Sequence, residues 1–189
     1  MRWVAAAWLA IWVPAYASVW GWKNFLHLCD IAVVLTCAGI WFGSPLLLSS
    51  QAVSSILADL LWDLDASSRL LTGRHLVGGT EYMWQAQFPL GVRLLSLFHV
   101  VWPVVLVASL RCVGYDRRGL SLQTGIAACV LLASRLLGPA DNLNFAFRDP
   151  IWGRSFGTAP IHLALVLAGI VVLTYLPAHF VLSRALPPR

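Results

Sequence analysis

The stretch Trp22-Lys23-Asn24-Phe25-Leu26-His27-Leu28-Cys29-Asp30 leads into an apolar run that continues to Phe42. It sets His27, Cys29 and Asp30 within the opening turns of a helix that is otherwise lipid-soluble. Ionisable groups at membrane depth are costly unless they pair or work. The stretch therefore reads as the start of a transmembrane span and as the seed of a site.

The rest of the composition agrees. Charged residues make up 11% of the 189 residues and hydrophobic ones 59%, with ten tryptophans and a mean hydropathy of +0.77. Soluble domains carry roughly 25% charged residues, so the chain reads as an all-α polytopic membrane protein. The net charge of +5 comes largely from arginines scattered through loops. That distribution fits positive-inside topogenesis and excludes a nucleic-acid surface, where the arginines would cluster on one element. The four cysteines, Cys29, Cys37, Cys112 and Cys129, include no C-x-x-C and no loop pair. Neither a disulfide framework nor a zinc knuckle is indicated, and three of them read as small buried hydrophobes. Cys29 stands apart because of its neighbours.

Six spans are expected, at residues 3–20, 25–42, 45–64, 92–110, 120–137 and 160–182. The first is ambiguous, because Arg2, the run Trp3 to Val13 and the Pro14-Ala15-Tyr16-Ala17-Ser18 segment also have the charge, apolar core and cleavage site of a signal peptide. Cleavage would leave five spans in the same orientation. Gly43-Ser44-Pro45 marks a tight break between the second and third spans. The third carries Ser49, Ser50, Gln51, Ser54 and Ser55, a small-polar stripe suited to close packing in lipid, and ends in Asp59, Asp63 and Asp65. Residues 66–91 form the longest polar connection, an interfacial loop with Tyr82, Trp84 and Phe88 among its polar groups and a short helix at the headgroups. Gly78-Gly79 reads as a turn, since no strand precedes it to make a phosphate cradle. The fourth span holds Ser96, His99 and Pro103. Pro103 removes the helical donor for the His99 carbonyl and predicts a bend there. Gly138-Pro139 stops the fifth span, a turn-rich loop follows, and Pro160 opens the last helix, with His162 in its first turn and a kink at Pro177. The loop Gly114-Tyr115-Asp116-Arg117-Arg118-Gly119 reads as a cytoplasmic turn, and Trp20, Trp22, Trp62, Trp84 and Trp152 read as interface anchors.

With six spans, one side receives Arg2, Arg111, Arg117, Arg118, Arg184 and Arg189 against Asp116 alone. The other receives Lys23, Arg69, Arg74, Arg148 and Arg154, with Asp65, Glu81, Asp141 and Asp149, in longer loops. This bias puts both termini in the cytoplasm.

Several helices then bring ionisable groups to one depth. At about 1.5 Å per residue, Cys29, Asp30 and Asp59 lie roughly 6 to 8 Å below the outer helix ends, His99 about 10 Å, and His162 and Arg135 about 3 Å. Such a layer is what an outer-leaflet polar pocket requires, because buried charges need partners or water. In the competing reading, Asp59 or Asp63 pairs with Arg93 or Arg135 to fix helix packing. Three chemistries fit a pocket: Cys29 as nucleophile with His99 as general base and a carboxylate, Asp30 or Asp59, orienting the ring; a metal site of His27 and Asp30 with Asp59 or His99, although no metal-binding motif of known spacing is present; and a proton or ion relay through Asp30, Asp59 and Asp63, which lacks the inverted repeat of transporters. No cofactor motif is present.

The blocks Trp20 to Asp30, Leu61-Trp62-Asp63-Leu64-Asp65, Gly78 to Trp84, Ser96-Leu97-Phe98-His99-Val100-Val101-Trp102-Pro103 and Gly114 to Gly119 resemble a family of uncharacterised bacterial integral membrane proteins. That resemblance implies a bacterial inner (cytoplasmic) membrane and no activity. The chain is more distantly similar to the superfamily of YwaF-like proteins and androgen-induced proteins, some of which hydrolyse fatty-acid esters of hydroxy fatty acids, and a related phospholipid acyltransferase. This likeness implies a six-span bundle with a threonine or cysteine early in one helix and a histidine shortly before proline in a later one. Cys29, after Trp22-Lys23, and His99, before Trp102-Pro103, occupy similar positions; the spacing around the nucleophile differs, and His27 fits the first position equally well.

The resulting expectation is an outer-leaflet pocket in which Cys29 attacks a lipid ester, His99 activates it and Asp30 or Asp59 orients the imidazole, with His27, Asp63, Arg93, Arg135 and His162 as binding residues. Membrane lipids are the expected partners. The alternative is a non-catalytic protein that binds a lipid or a partner subunit.

Overall fold

The computed structural model describes residues 1–189. The chain is all-helical, its one strand-like contact being the bridge between Tyr115 and Pro188. Helix α1 (Arg2–Trp20) is followed by a 3-10 turn (Trp22–Leu26), then α2 (Leu28–Phe42) and α3 (Pro45–Thr72). A short α4 (Leu90–Leu95) continues after a two-residue break into α5 (Phe98–Val113), and α6 (Gly119–Leu136) follows. The last crossing comprises α7 (Ala159–Ile170), a π-helical turn (Val171–Tyr175) and α8 (Leu176–Ala185). Five of the six crossings are long and apolar enough to span a membrane, and α2 is the short one. The protein is a membrane-embedded helix bundle.

Local sequence explains the breaks. Gly43 adopts a left-handed conformation (φ 63°) that closes α2, the Ser44 hydroxyl accepts the Leu47 N–H at 3.3 Å as an N-cap, and Pro45 occupies the first helical position. Pro177 has no N–H to offer Leu173, so the turn before it widens and Leu176 N bonds Val171 O, five residues back. The expected kink is thus taken up as a π turn.

Three boundaries differ from the sequence expectation. The second span begins at Leu28 because Trp22–Leu26 coils more tightly as a 3-10 turn. The third span runs on to Thr72, so residues 66–72 are helix and the polar connection shrinks to residues 73–89; left-handed Gly73 provides the stop. The fourth span is instead broken at Ser96 and Leu97, ahead of Pro103, which lies inside α5; at the break the backbone bonds tighten to Ser96 N→Arg93 O, Leu97 N→Leu94 O and His99 N→Ser96 O.

Helix α3 is the axis of the bundle, packing against α2, α5, α6 and α8. Gly119 of α6 sits so close to α3 that a Cβ there would lie 2.7 Å from Ser49 Cβ and 2.9 Å from Ser50 N. The serine stripe does serve close packing. Deeper in, Gln123 donates to Ser54 Oγ (2.8 Å) and Tyr175 Oη (3.1 Å), and Gln51 donates to Ser50 Oγ (2.7 Å). This buried amide and hydroxyl cluster ties α3, α6 and the last crossing together. At the end of the bundle that carries both termini, Tyr115 N bonds Pro187 O, Arg189 N bonds Tyr115 O and Asp116 N bonds Ser49 Oγ. The site lies at the opposite end.

Candidate functional site

The 15 residues of α2 span about 22 Å and the 28 of α3 about 42 Å. Because the two are paired closely at Gly43-Ser44, α3 rises well past the start of α2 at the far end. The recess above α2 is filled by the 3-10 turn and two loops, and it is polar.

Both loops are held by single polar side chains. Asp65, in the extension of α3, accepts Leu76 N (2.7 Å), Val77 N (2.7 Å) and Gly78 N (2.9 Å) through one oxygen; His75 Nδ1 (2.9 Å) and the Thr80 hydroxyl contact the other. The turn expected at Gly78-Gly79 is present, with both glycines at positive φ, and it roofs the recess. From the other side Asn144 donates to Leu26 O (2.7 Å) and Ser134 Oγ (2.9 Å) and accepts Leu28 N (3.0 Å), which caps α2 from 116 residues away.

Two cavities result, of about 410 and 510 Å³. They share a wall made by His27, Cys29, Trp62, Gly79 and His99. Asp30 lines the first with Tyr16, Trp20 and Tyr82; Asp59 lines the second with Ser54, Ser55 and Tyr175. Cys29, Asp30, Asp59 and His99, which sequence reasoning put at one depth on three helices, thus line two adjoining cavities with a common wall, together the chamber. His99 is 6% exposed. Its Nδ1 lies 2.8 Å from Ser96 O, a contact that requires an N–H there. That hydrogen bond leaves Nε2 of the neutral ring as a free acceptor. Trp62 stacks on the ring face at 4.6 Å, and Ser96 bonds Tyr16 Oη at 2.6 Å, which braces the turn that carries His99. Asp30 accepts Asn24 Nδ2 at 2.6 Å, and Cys29 Sγ stands 4.0 Å from its other oxygen. Asp59 is 1% exposed and its Oδ2 has no partner.

The remaining candidates have other surroundings. His27 lines both cavities. Asp63, one turn beyond Asp59, lines neither and leaves Oδ1 unpartnered. Arg93 donates to Met83 O (2.6 Å) and anchors the loop. Arg135 donates to Ala146 O (2.9 Å) beneath the Phe147 ring. His162 accepts Phe156 N (3.2 Å) on Nδ1 and therefore donates from Nε2 to Phe145 O (3.0 Å), cross-bracing the loop that presents Asn144. The expected ion pairs of Asp59 or Asp63 with Arg93 or Arg135 do not form; the molecule's arginine–carboxylate pair is Arg118–Asp116, and Asp65 meets His75. The arginines reach loop carbonyls instead, since those acceptors lie nearer than the carboxylates on α3.

Tyr16, Trp20, Asn24, Trp62, Tyr82 and Asn144 complete the site without having been expected in it. For Trp62 a signal existed: it lies three residues after Asp59 and so shares its helix face. Asn144 gave none beyond a turn-rich loop.

Beside the chamber a third, wholly apolar groove of about 450 Å³ runs between α1, α2 and α4–α5. Leu95, Leu97 and Phe98 face this groove, while Ser96 and His99 face the chamber. The groove continues toward the termini end past Trp8 and Cys37 to Val4 and Ile40. A polar compartment thus adjoins an apolar one across a single turn of chain. No family model, curated protein or solved structure matches the chain.

Proposed function

We propose that this is a multi-pass protein of a bacterial cytoplasmic membrane, both termini in the cytoplasm, whose chamber opens to the extracytoplasmic leaflet and acts on the acyl ester of a membrane lipid. The observation that carries this reading is that Cys29 and a His99 whose Nε2 is free both belong to the wall common to the two cavities, next to an apolar groove. The arginines of the termini end support the orientation, and the family resemblance of the Trp20–Asp30 and Ser96–Pro103 blocks supports the bacterial assignment. An acyl chain in the groove would lie beside the chamber, since Phe98 lines the one and the adjacent His99 the other.

In this reading His99 Nε2 takes the Cys29 thiol proton as sulfur attacks the ester carbonyl. The tetrahedral adduct collapses with cleavage of the C–O bond, and the leaving alkoxide receives that proton from His99. Water, deprotonated by the same nitrogen, then cleaves the thioester and restores the thiol; an alcohol in place of water gives acyl transfer.

A second reading, lipid or partner-subunit binding without chemistry, is favoured by one observation. No lysine or arginine lines either cavity, while Asp30 lines the first and Asp59 and Asp141 the second; thiol nucleophiles generally occupy electropositive surroundings. Purified protein in phospholipid nanodiscs, assayed by mass spectrometry for released fatty acid or transferred acyl chain, separates the two. The ester reading expects turnover that both Cys29→Ala and His99→Ala abolish. Turnover absent from wild type, or unchanged in both variants, leaves the binding reading.

A further inference from the structure

The chamber holds buried acids with no cation beside them. Two carboxylates are buried in it: Asp59 at 1% exposure with Oδ2 unpartnered, and Asp30 at 2% with one oxygen held by Asn24 and the other by nothing nearer than the Cys29 sulfur at 4.0 Å. Every arginine with a polar partner at this end of the molecule is spent on a loop carbonyl: Arg69 on Gly73, Arg93 on Met83, Arg135 on Ala146. A buried carboxylate without a donor is costly. Retaining two in one chamber is what a site for a cationic ligand requires.

The walls narrow the chemistry. Tyr16, Trp20, Trp62, Tyr82 and Phe88 line the first cavity around Asp30, and aromatic faces attract organic ammonium groups. Ionised against a bound cation, a carboxylate is acceptor-only, so the open oxygens of Asp59 and Asp30 would then take N–H donors, which a primary ammonium has and a quaternary one lacks. The same carboxylates repel a headgroup whose only charge is negative. The apolar groove next to the chamber points to an ammonium carried by a lipid.

From these contacts we propose that the chamber recognises a primary ammonium group, attracted by Asp30 and Asp59 in the adjoining cavities and by their aromatic walls, and borne by the headgroup of a membrane lipid. This deepens the lipid reading by naming the class of lipid, and it holds whether or not Cys29 is a nucleophile.

The test uses full-length Cys29→Ala, which separates recognition from turnover, in nanodiscs of phosphatidylglycerol doped with phosphatidylethanolamine, phosphatidylcholine or neither, with bound lipid counted by native mass spectrometry after release. Free ethanolamine is added in a parallel arm. Phosphatidylethanolamine is expected to be retained about 10-fold or more over the other two, and Asp59→Asn and Asp30→Asn each to erase the preference. Asp59→Asn replaces an unpartnered carboxyl by an amide of the same shape, so its thermal stability without the ligand is expected to stay close to that of the parent, which serves as the folding control. Equal retention of all three lipids, or a preference unchanged in both carboxylate variants, overturns the proposal. Free ethanolamine displacing the lipid at equal concentration supports ammonium recognition and assigns it to a soluble amine. Wild-type ester turnover without this preference would retain the enzyme reading and remove this one; the preference without turnover would do the reverse.

Discussion

The indole of Trp62 lies flat on the imidazole of His99, ring centroids 4.6 Å apart and planes within 6°. One ring comes from α3 and the other from the first turn of α5, so the helix pair at the centre of the bundle also fixes the His99 ring, which shares a cavity wall with Cys29. With Nδ1 held by Ser96 O at 2.8 Å, the imidazole is restrained both in plane and in rotation. Trp62→Leu is expected to leave the fold intact and lower ester turnover about 10- to 100-fold, because loss of orientation at a reacting group costs on that order. Trp62→Phe, which keeps a stacking face, is expected to recover most of the loss. The parallel readout is the His99 ring ¹⁵N spectrum, where Trp62→Leu should broaden the single-tautomer signature of the parent.

Gly119 is a packing requirement. A Cβ at this position meets Ser49 backbone carbon at 2.8 Å and Ser50 N at 2.9 Å, and backbone atoms of the central helix cannot swing aside. Gly119→Ala is expected to destabilise the bundle by about 1–3 kcal/mol, measured by thermal unfolding in detergent. Gly125→Ala, on the same helix with open space at its Cβ, is the control and should be neutral or stabilising.

Asn144 caps α2 from a distant loop through bonds to Leu26, Leu28 and Ser134 of 2.7 to 3.0 Å. Its removal leaves the Leu28 N–H and Leu26 carbonyl unpaired in a part-buried setting. Asn144→Ala is expected to cost about 2–4 kcal/mol and to speed hydrogen exchange at Leu28 to Asp30 while α6 stays protected. Exchange that rises evenly over the whole chain would contradict a local cap.

These three residues show how far the sequence carried. The bundle, its break at Gly43-Ser44-Pro45 and the serine stripe on α3 were legible because apolar run length, helix-stop chemistry and small-residue packing are local properties. That Cys29, Asp30, Asp59 and His99 come to one end of the bundle was legible too, since helical rise converts residue number to height along each helix. Rotation about each helix axis was not, which is why Arg93 and Arg135 were matched to carboxylates they do not meet. The loop contacts of Asn144, His162 and Asp65 were equally hidden, because pairing across tens of residues depends on how loops fold back. The extension of α3 past Leu64 was missed because Asp63 and Asp65 looked like the polar edge of a membrane, whereas Asp65 is the acceptor on which the next loop folds.

The loop before α7 carries a pH dependence. Burial raises the Asp149 carboxyl, but backbone N–H groups of Ile151 (2.9 Å), Trp152 (2.7 Å) and Arg154 (3.0 Å) bond its ionised form and bring it below the usual aspartate value. A carboxylate lowered on folding adds stability that is full above its unfolded pKa, about 3.9, and is lost as pH falls through its folded value. Asp149→Asn is therefore expected to have a lower Tm than wild type at pH 7, with the gap closing as pH falls below about 4. A gap that stays constant to pH 3 would contradict this account.

The most direct measurement is acylation of the protein by a lipid-like activated ester carrying an alkyne, followed by peptide mapping. The two exposed cysteines, Cys112 and Cys129, provide an internal control for indiscriminate thiol chemistry. The account predicts an acyl adduct on Cys29 alone, forming about 100-fold or more slowly in His99→Ala, the scale of general-base catalysis. An adduct on Cys112 or Cys129 in place of Cys29, none at all, or an unchanged rate in His99→Ala would contradict it.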